Sequence, residues 1–163
     1  MTSGYPCVVM TKQTALGWLL VCVQVLVFLG FLLLPWRAPN ALSLILGLAL
    51  FATGLAVVVA SFKALGTALT ATPVPRSGVG LRTTGIFGIV RHPIYSGALV
   101  ALLGFVVAVG SWFSLIWWLL AGLFFLGKSR WEDSLLAATH PGEWEIWAQG
   151  TPALIPYRRK SAR

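Results

Sequence analysis

The sequence predicts an all-α fold, a polytopic membrane bundle of about four spans, and three observations carry that prediction. Of the 163 residues, 58 % are apolar and only 10 % are charged, a balance too apolar for a water-soluble domain of this size. The apolar residues come in long runs: Leu16–Leu34 and Ala41–Phe62 hold no acidic or basic residue, and Ile94–Gly127 holds none either, with Tyr95 its one ionisable side chain. Soluble cores do not read this way. Finally, the basic residues flank these runs and fall almost entirely on one side of them.

The first run, residues 16–34, rises about 28 Å as a helix, enough for a hydrocarbon core. Lys12 before it imitates a secretory signal. The run is longer than a signal's apolar region, however, and Pro35-Trp36-Arg37 follows it without a small-x-small cleavage pattern, so it reads as a retained span. Pro35, Pro39 and Asn40 make a tight connection to a second span, residues 41–61. Residues 63–92 break the pattern with Pro73, Pro75, five glycines and four basic residues, and read as an irregular loop. The stretch from Ile94 to Leu126 is too long for one crossing. Gly110-Ser111 divides it into a hairpin, spans 94–109 and 112–127.

Topology follows from the cations. Lys12, four residues of the 63–92 loop, Lys128, Arg130 and four residues of the C-terminal tail make eleven on one side, against Arg37 on the other. The positive-inside rule therefore places both termini and the loop in the cytoplasm, in a cell inner membrane, with Trp36 and Trp112 at the outer interface and Trp131 at the inner one. The whole chain, 1–163, reads as a single membrane domain. Within the third span Gly97, Ala101, Gly104, Ala108 and Ser111 share one small-residue face, suited to close packing against another helix.

The formal charge of +8 does not imply nucleic acid, because the basic residues bracket apolar spans instead of forming a stripe with interleaved aromatics. Cys7 and Cys22 are badly placed to bridge, and no disulfide framework is implied. Two histidines with no Cys-x-x-Cys or His-x-x-x-His predict no metal.

All four acidic residues lie in the last part of the chain, where residues 128–138 continue the fourth span as a helix leaving the membrane. His140-Pro141-Gly142 breaks that helix, a short one covers about 143–149, and Thr151-Pro152 and Pro156 make an extended tail. Polar groups gather in two places, Arg91-His92-Pro93-Ile94-Tyr95 and Lys128-Ser129-Arg130-Trp131-Glu132-Asp133. The hairpin brings these to the same membrane face. Singly, each residue has a plain reading: Pro93 suits a first helical turn, Arg91 can snorkel, and Lys128 and Glu132 are an i,i+4 pair. Together they place a histidine, a tyrosine, several cations and a carboxylate at one depth.

The run from Thr83 to Gly97, with Gly85-x-Phe87-x-x-x-Arg91-His92-Pro93-x-Tyr95-x-Gly97, resembles the signature of the isoprenylcysteine carboxyl methyltransferase family, whose outline the phospholipid methyltransferases share. Glu132-Asp133-x-Leu135-Leu136, Glu143-Trp144-x-x-Trp147 and Thr151-Pro152-x-x-Ile155-Pro156 resemble that family's later motifs. The resemblance covers about residues 63–157. It implies a loop and C-terminal helices closing an S-adenosylmethionine site over about residues 72–157. The cofactor would meet Val79, Gly80, Leu81, Arg82, Phe87, His92, Pro93, Ile94 and Tyr95, with Glu132 on its amino group. Lys128 stands where the eukaryotic enzymes carry a substrate-binding arginine, and Arg130 joins it as a second substrate contact. Arg91, Tyr95 and Glu132 are the expected catalytic residues. The chain departs from the pattern at Phe87, Trp144 and Trp147, which replace tyrosines, and at Asp133, which replaces a glutamate. Lysine for arginine at position 128 loses a two-point grip on a carboxylate.

This cofactor carries an ammonium, a carboxylate and a sulfonium, so its site needs an anion such as Glu132, donors such as His92 and Arg91, and aromatic surface. In-line methyl transfer depends on positioning and exclusion of water, and an ionised carboxylate acceptor needs no base. The expected acceptor is a lipophilic small molecule or lipidated group reaching the cytoplasmic face among membrane lipids, with a prenylated cysteine carboxylate first. A lipid amine or hydroxyl would require a base, with Tyr95 and Glu132 nearest. Rival readings are an NADPH-dependent membrane reductase of related fold and a non-catalytic membrane adaptor.

Overall fold

The computed structural model describes residues 7–66 and 80–157, and among these the fold is all-helical, without a strand. Five α-helices follow in order: α1 (Cys7–Leu33), α2 (Ala41–Leu65), α3 (Pro93–Val109), α4 (Trp112–Thr139) and α5 (Glu143–Gly150), with a 3-10 turn at Gly85–Gly88 before α3. α1, α2 and α4 are each long and apolar enough to cross a membrane. α3, at 17 residues, rises about 25 Å. Large apolar side chains stand exposed along the long helices, Leu26 at 64 %, Leu48 at 58 % and Leu123 at 66 %, a surface that only lipid would cover without cost.

The helix ends follow local chemistry. Asn40 caps α2, its side chain accepting the Ser43 N–H at 2.8 Å. α2 runs on to Leu65, so Lys63, expected in the loop, instead occupies the last turn, where a cation complements the helix C-terminus. Pro93 takes the first turn of α3, and Gly110, left-handed at φ 60°, ends it with its N–H on the Val106 carbonyl. α4 continues without a break past residue 127 because no proline or glycine interrupts 128–139. Gly142, at φ 82°, makes the turn into α5, and its N–H donates to the Glu145 carboxylate.

α2 and α3 approach backbone to backbone. A Cβ on Gly97 would sit 2.7 Å from the Gly54 carbonyl oxygen, and one on Gly47 would sit 2.6 Å from that of Gly104. The small-residue face of α3 is therefore a helix contact, held in lipid by dispersion. Ser111 lies past it, buried before the first turn of α4. α1 lies on α4, with the Trp117 indole donating to the Val27 carbonyl at 2.9 Å and covering Gly30. Phe31, Val106 and Ala121 form the core where α1, α3 and α4 meet, and the Arg37 N–H closes this end on the Val109 carbonyl at 3.3 Å.

Gly104→Ala tests the seam, since the added methyl would meet backbone atoms of Gly47 and Phe51 at 2.5 Å. Thermal unfolding in detergent should show a loss of about 1–3 kcal/mol. Gly122→Ala, which meets open space, should be neutral or slightly stabilising.

Candidate functional site

The hairpin of α3 and α4 carries two groups of polar residues to one place. Arg91 and His92 precede α3, Tyr95 lies in its first turn, and Lys128, Glu132 and Asp133 lie in the exit half of α4. Arg91 forks onto Asp133, with Nη2 to Oδ2 at 2.7 Å and Nε to Oδ1 at 3.3 Å. Its Nη1 donates to the carbonyls of Thr151 at 2.5 Å and Ala148 at 3.4 Å. Four of its five donors are thus committed within the protein. His92 is buried between two carboxylates, Nε2 at 2.9 Å from Asp133 Oδ1 and Nδ1 at 3.3 Å from Glu132 Oε2. Burial opposes its charged form, but the hydrogen bonds to Asp133 and Glu132 outweigh that, and its pKa is pushed up to about 9.

The C-terminal segment straps this cluster. The N–H groups of Arg91 and His92 donate to the carbonyls of Pro152 at 2.8 Å and Ala153 at 3.0 Å, and Ser96 Oγ donates to that of Leu154 at 2.6 Å. The buried indole of Trp147 donates to the Phe87 carbonyl at 2.9 Å, fixing α5 on the 3-10 turn. Trp144 lies beneath the Arg91 guanidinium at 5.7 Å, and its own Nε1 is buried without a hydrogen-bond partner among the described residues.

Glu132 and Asp133 differ in what they have left to offer. Asp133 spends both oxygens on Arg91 and His92. On Glu132, the Tyr95 hydroxyl at 2.9 Å and the histidine both fall on Oε2, so Oε1 can take a further donor. Tyr95 is stacked between His92 and Phe125, at ring separations of 5.6 and 5.2 Å. Lys128 is buried at 4 % exposure, its Nζ 2.5 Å from Gln24 Oε1 and 5.2 Å from the Tyr95 ring centre.

Arg91, His92, Tyr95, Lys128 and Glu132 therefore come together as the sequence expects. Pro93 and Phe87 are buried and Ile94 is half-buried. Gly80 and Arg82 are exposed and Leu81 is half-buried, and these three take no part in the cluster's hydrogen bonds or ion pairs among the described residues. Val79 lies outside the described residues. Arg130 points away, exposed. Sequence reasoning missed Gln24, the clamp made by Asp133, and the strap. Gln24 had a signal, being the most polar side chain inside the Leu16–Leu34 run.

The sequence profile of the phospholipid methyltransferase family matches residues 42–141, from the start of α2 to the turn after α4. No individual curated protein matches the chain.

Asp133→Asn should cost about 3–5 kcal/mol in thermal unfolding, because it strands a largely buried guanidinium. Histidine adds a pH dependence of definite sign. A group raised from 6.5 to about 9 contributes stability that is full below pH 6.5 and is lost as pH rises through 9. The melting temperature should fall across that window, and His92→Gln should remove the slope.

Proposed function

For a chain that belongs to the phospholipid methyltransferase family, whose profile spans more than half of it, we propose S-adenosylmethionine-dependent methyl transfer to a lipophilic acceptor at the cytoplasmic face of the membrane. The observation that carries this reading is the Glu132 carboxylate, held by Tyr95 and His92 through one oxygen while the other is left for a ligand's ammonium. The residues fit the cofactor in two further respects. Trp144 supplies a buried indole N–H with no partner among the described residues, and His92, Tyr95 and Phe125 supply a stacked ring surface. When bound, the cofactor would offer an electrophilic methyl on a positively charged sulfur, which leaves with its bonding pair as an acceptor lone pair takes the methyl in line.

The protein's share is positioning. Arg91, with four donors committed, holds the C-terminal strap and Asp133 in place, so its role is to set the geometry around His92. Phe87, Pro93 and Ile94 line the approach beside it, and Gly80, Leu81 and Arg82 complete the cofactor side from the loop. The strap and α5 exclude water from the reacting atoms. Lys128 is the acceptor's counter-charge, and exposed Arg130 meets the arriving headgroup. A carboxylate acceptor, such as that of a prenylated cysteine, needs no base. A phospholipid headgroup, which the family's description names, presents a phosphate to the same lysine. If its reacting atom is a protonated amine, a base is needed, and Tyr95 and Glu132, joined by a hydrogen bond, are the nearest candidates.

Calorimetric titration of the purified protein with S-adenosylhomocysteine and with NADPH tests this reading. Binding of the first alone is expected. NADPH binding alone would favour a reductase, and binding of neither a non-catalytic adaptor. Glu132→Gln should weaken S-adenosylhomocysteine by about ten- to a hundred-fold, the worth of a charge-assisted hydrogen bond. Unchanged affinity in that variant would remove Glu132 from the cofactor site.

A further inference from the structure

Lys128 is a cation in the wrong place for a topological lysine. The N-terminus of α4 follows the Val109–Gly110 end of the bundle, and helical side chains lean toward their helix N-terminus. The ammonium therefore reaches into the bundle, away from the membrane face that carries Arg91 and Glu132. Its partner confirms the depth: Gln24 lies eight residues into the Leu16–Leu34 run and ten from its end, about 12 and 15 Å of helix. A snorkelling lysine would reach the other way.

Among the described residues no carboxylate forms an ion pair with this cation, and Glu132, one turn along α4, acts on it only at a distance. Asp133 spends both oxygens on Arg91 and His92, and Glu132 meets His92 and Tyr95 through Oε2 with no contact to the ammonium within 4 Å. Among the described residues no carboxylate lies within 4 Å of Lys128, whose contacts are a neutral amide and a ring face. An ammonium has three N–H donors, and Gln24 takes one. A buried charge so sparsely partnered is costly in an apolar setting. An arriving anion would remove much of that cost.

We propose that Lys128 and Gln24 form an anion subsite inside the bilayer, reached between α1 and α4, that takes the carboxylate or phosphate of a lipid and makes α1 the selectivity element. This rests on the methyltransferase reading for the identity of the lipid as the acceptor, though not for the subsite itself. Gln24 suits the role because it accepts a hydrogen bond while leaving the charge uncancelled. A glutamate there would form an internal ion pair and close the subsite to anions. α1 lies outside the stretch matched by the family profile, 42–141, so the subsite joins a residue within the matched stretch to one outside it.

The test is titration of the intact protein, in neutral detergent micelles, with oleate, oleyl phosphate and oleylamine. The acids should bind and oleylamine should not, and the ranking of oleate against oleyl phosphate identifies the preferred anion. Gln24→Glu should weaken acid binding by at least about tenfold, and Gln24→Leu, which leaves the charge but not its hold, should weaken it less. Should Gln24→Glu fail to fold, Lys128→Gln serves instead and should abolish the preference for acids over the amine. Equal binding of acid and amine by the wild type, acid binding undiminished in Gln24→Glu, or a preference that survives Lys128→Gln would overturn the proposal. S-adenosylhomocysteine affinity, measured alongside, should not change in the Gln24 variants, and its loss there would assign the lysine to the cofactor instead. Failure of the wild type to bind S-adenosylhomocysteine, with acid selectivity intact, would sink the methyltransferase reading and leave the subsite standing.

Discussion

Asp133 accepts hydrogen bonds from Arg91 and His92 where little water can reach, and three parts of the chain depend on that pairing for their positions. The carboxylate lies on α4, the two cations lie in the turn before α3, and the guanidinium carries the pairing on to the carbonyls of Ala148 and Thr151. A charge cannot be left alone in such surroundings, so the geometry is fixed by need as much as by attraction. Hairpin and turn are locked by charged groups, and the tail by neutral carbonyls that one of them holds. Glu132, one residue earlier on the same helix, escapes this duty because His92 and Tyr95 meet only one of its oxygens.

Much of this was legible in the sequence. The division at Gly110-Ser111 and the break at His140-Pro141-Gly142 show in residue type, since a left-handed glycine and a proline punctuate helices whatever surrounds them. The meeting of the Arg91 and Lys128 groups followed from hairpin geometry alone. The division of labour between Glu132 and Asp133 did not, because adjacent carboxylates have the same chemistry until their neighbours are known. The strap was hidden for another reason: it is made largely by backbone groups of residues 91–92 and 152–153, which carry no side-chain signature. Gln24 was visible as an oddity but not as a partner, for nothing in the order of residues says which side of α1 faces α4.

The two seams of the bundle are unlike. Between α2 and α3 glycines bring backbones into contact, and there is no room for adjustment. Between α1 and α4 contact is made by side chains, the Trp117 indole over Gly30 and the Lys128 ammonium on Gln24. Side chains can change rotamer where backbones cannot move, so any adjustment of the bundle falls to the second seam.

The strap has a consequence for the order in which the protein is made. Residues 151–154 are synthesised after all the membrane helices, yet they take the backbone N–H groups of Arg91 and His92 and the hydroxyl of Ser96. The membrane helices can be inserted and packed while those groups are still unsatisfied. Until the tail emerges and folds back, the chain is an assembled bundle with an unfinished site. A nascent chain that has not yet extended past residue 154 would thus hold its helices without the strap that closes over Arg91 and His92.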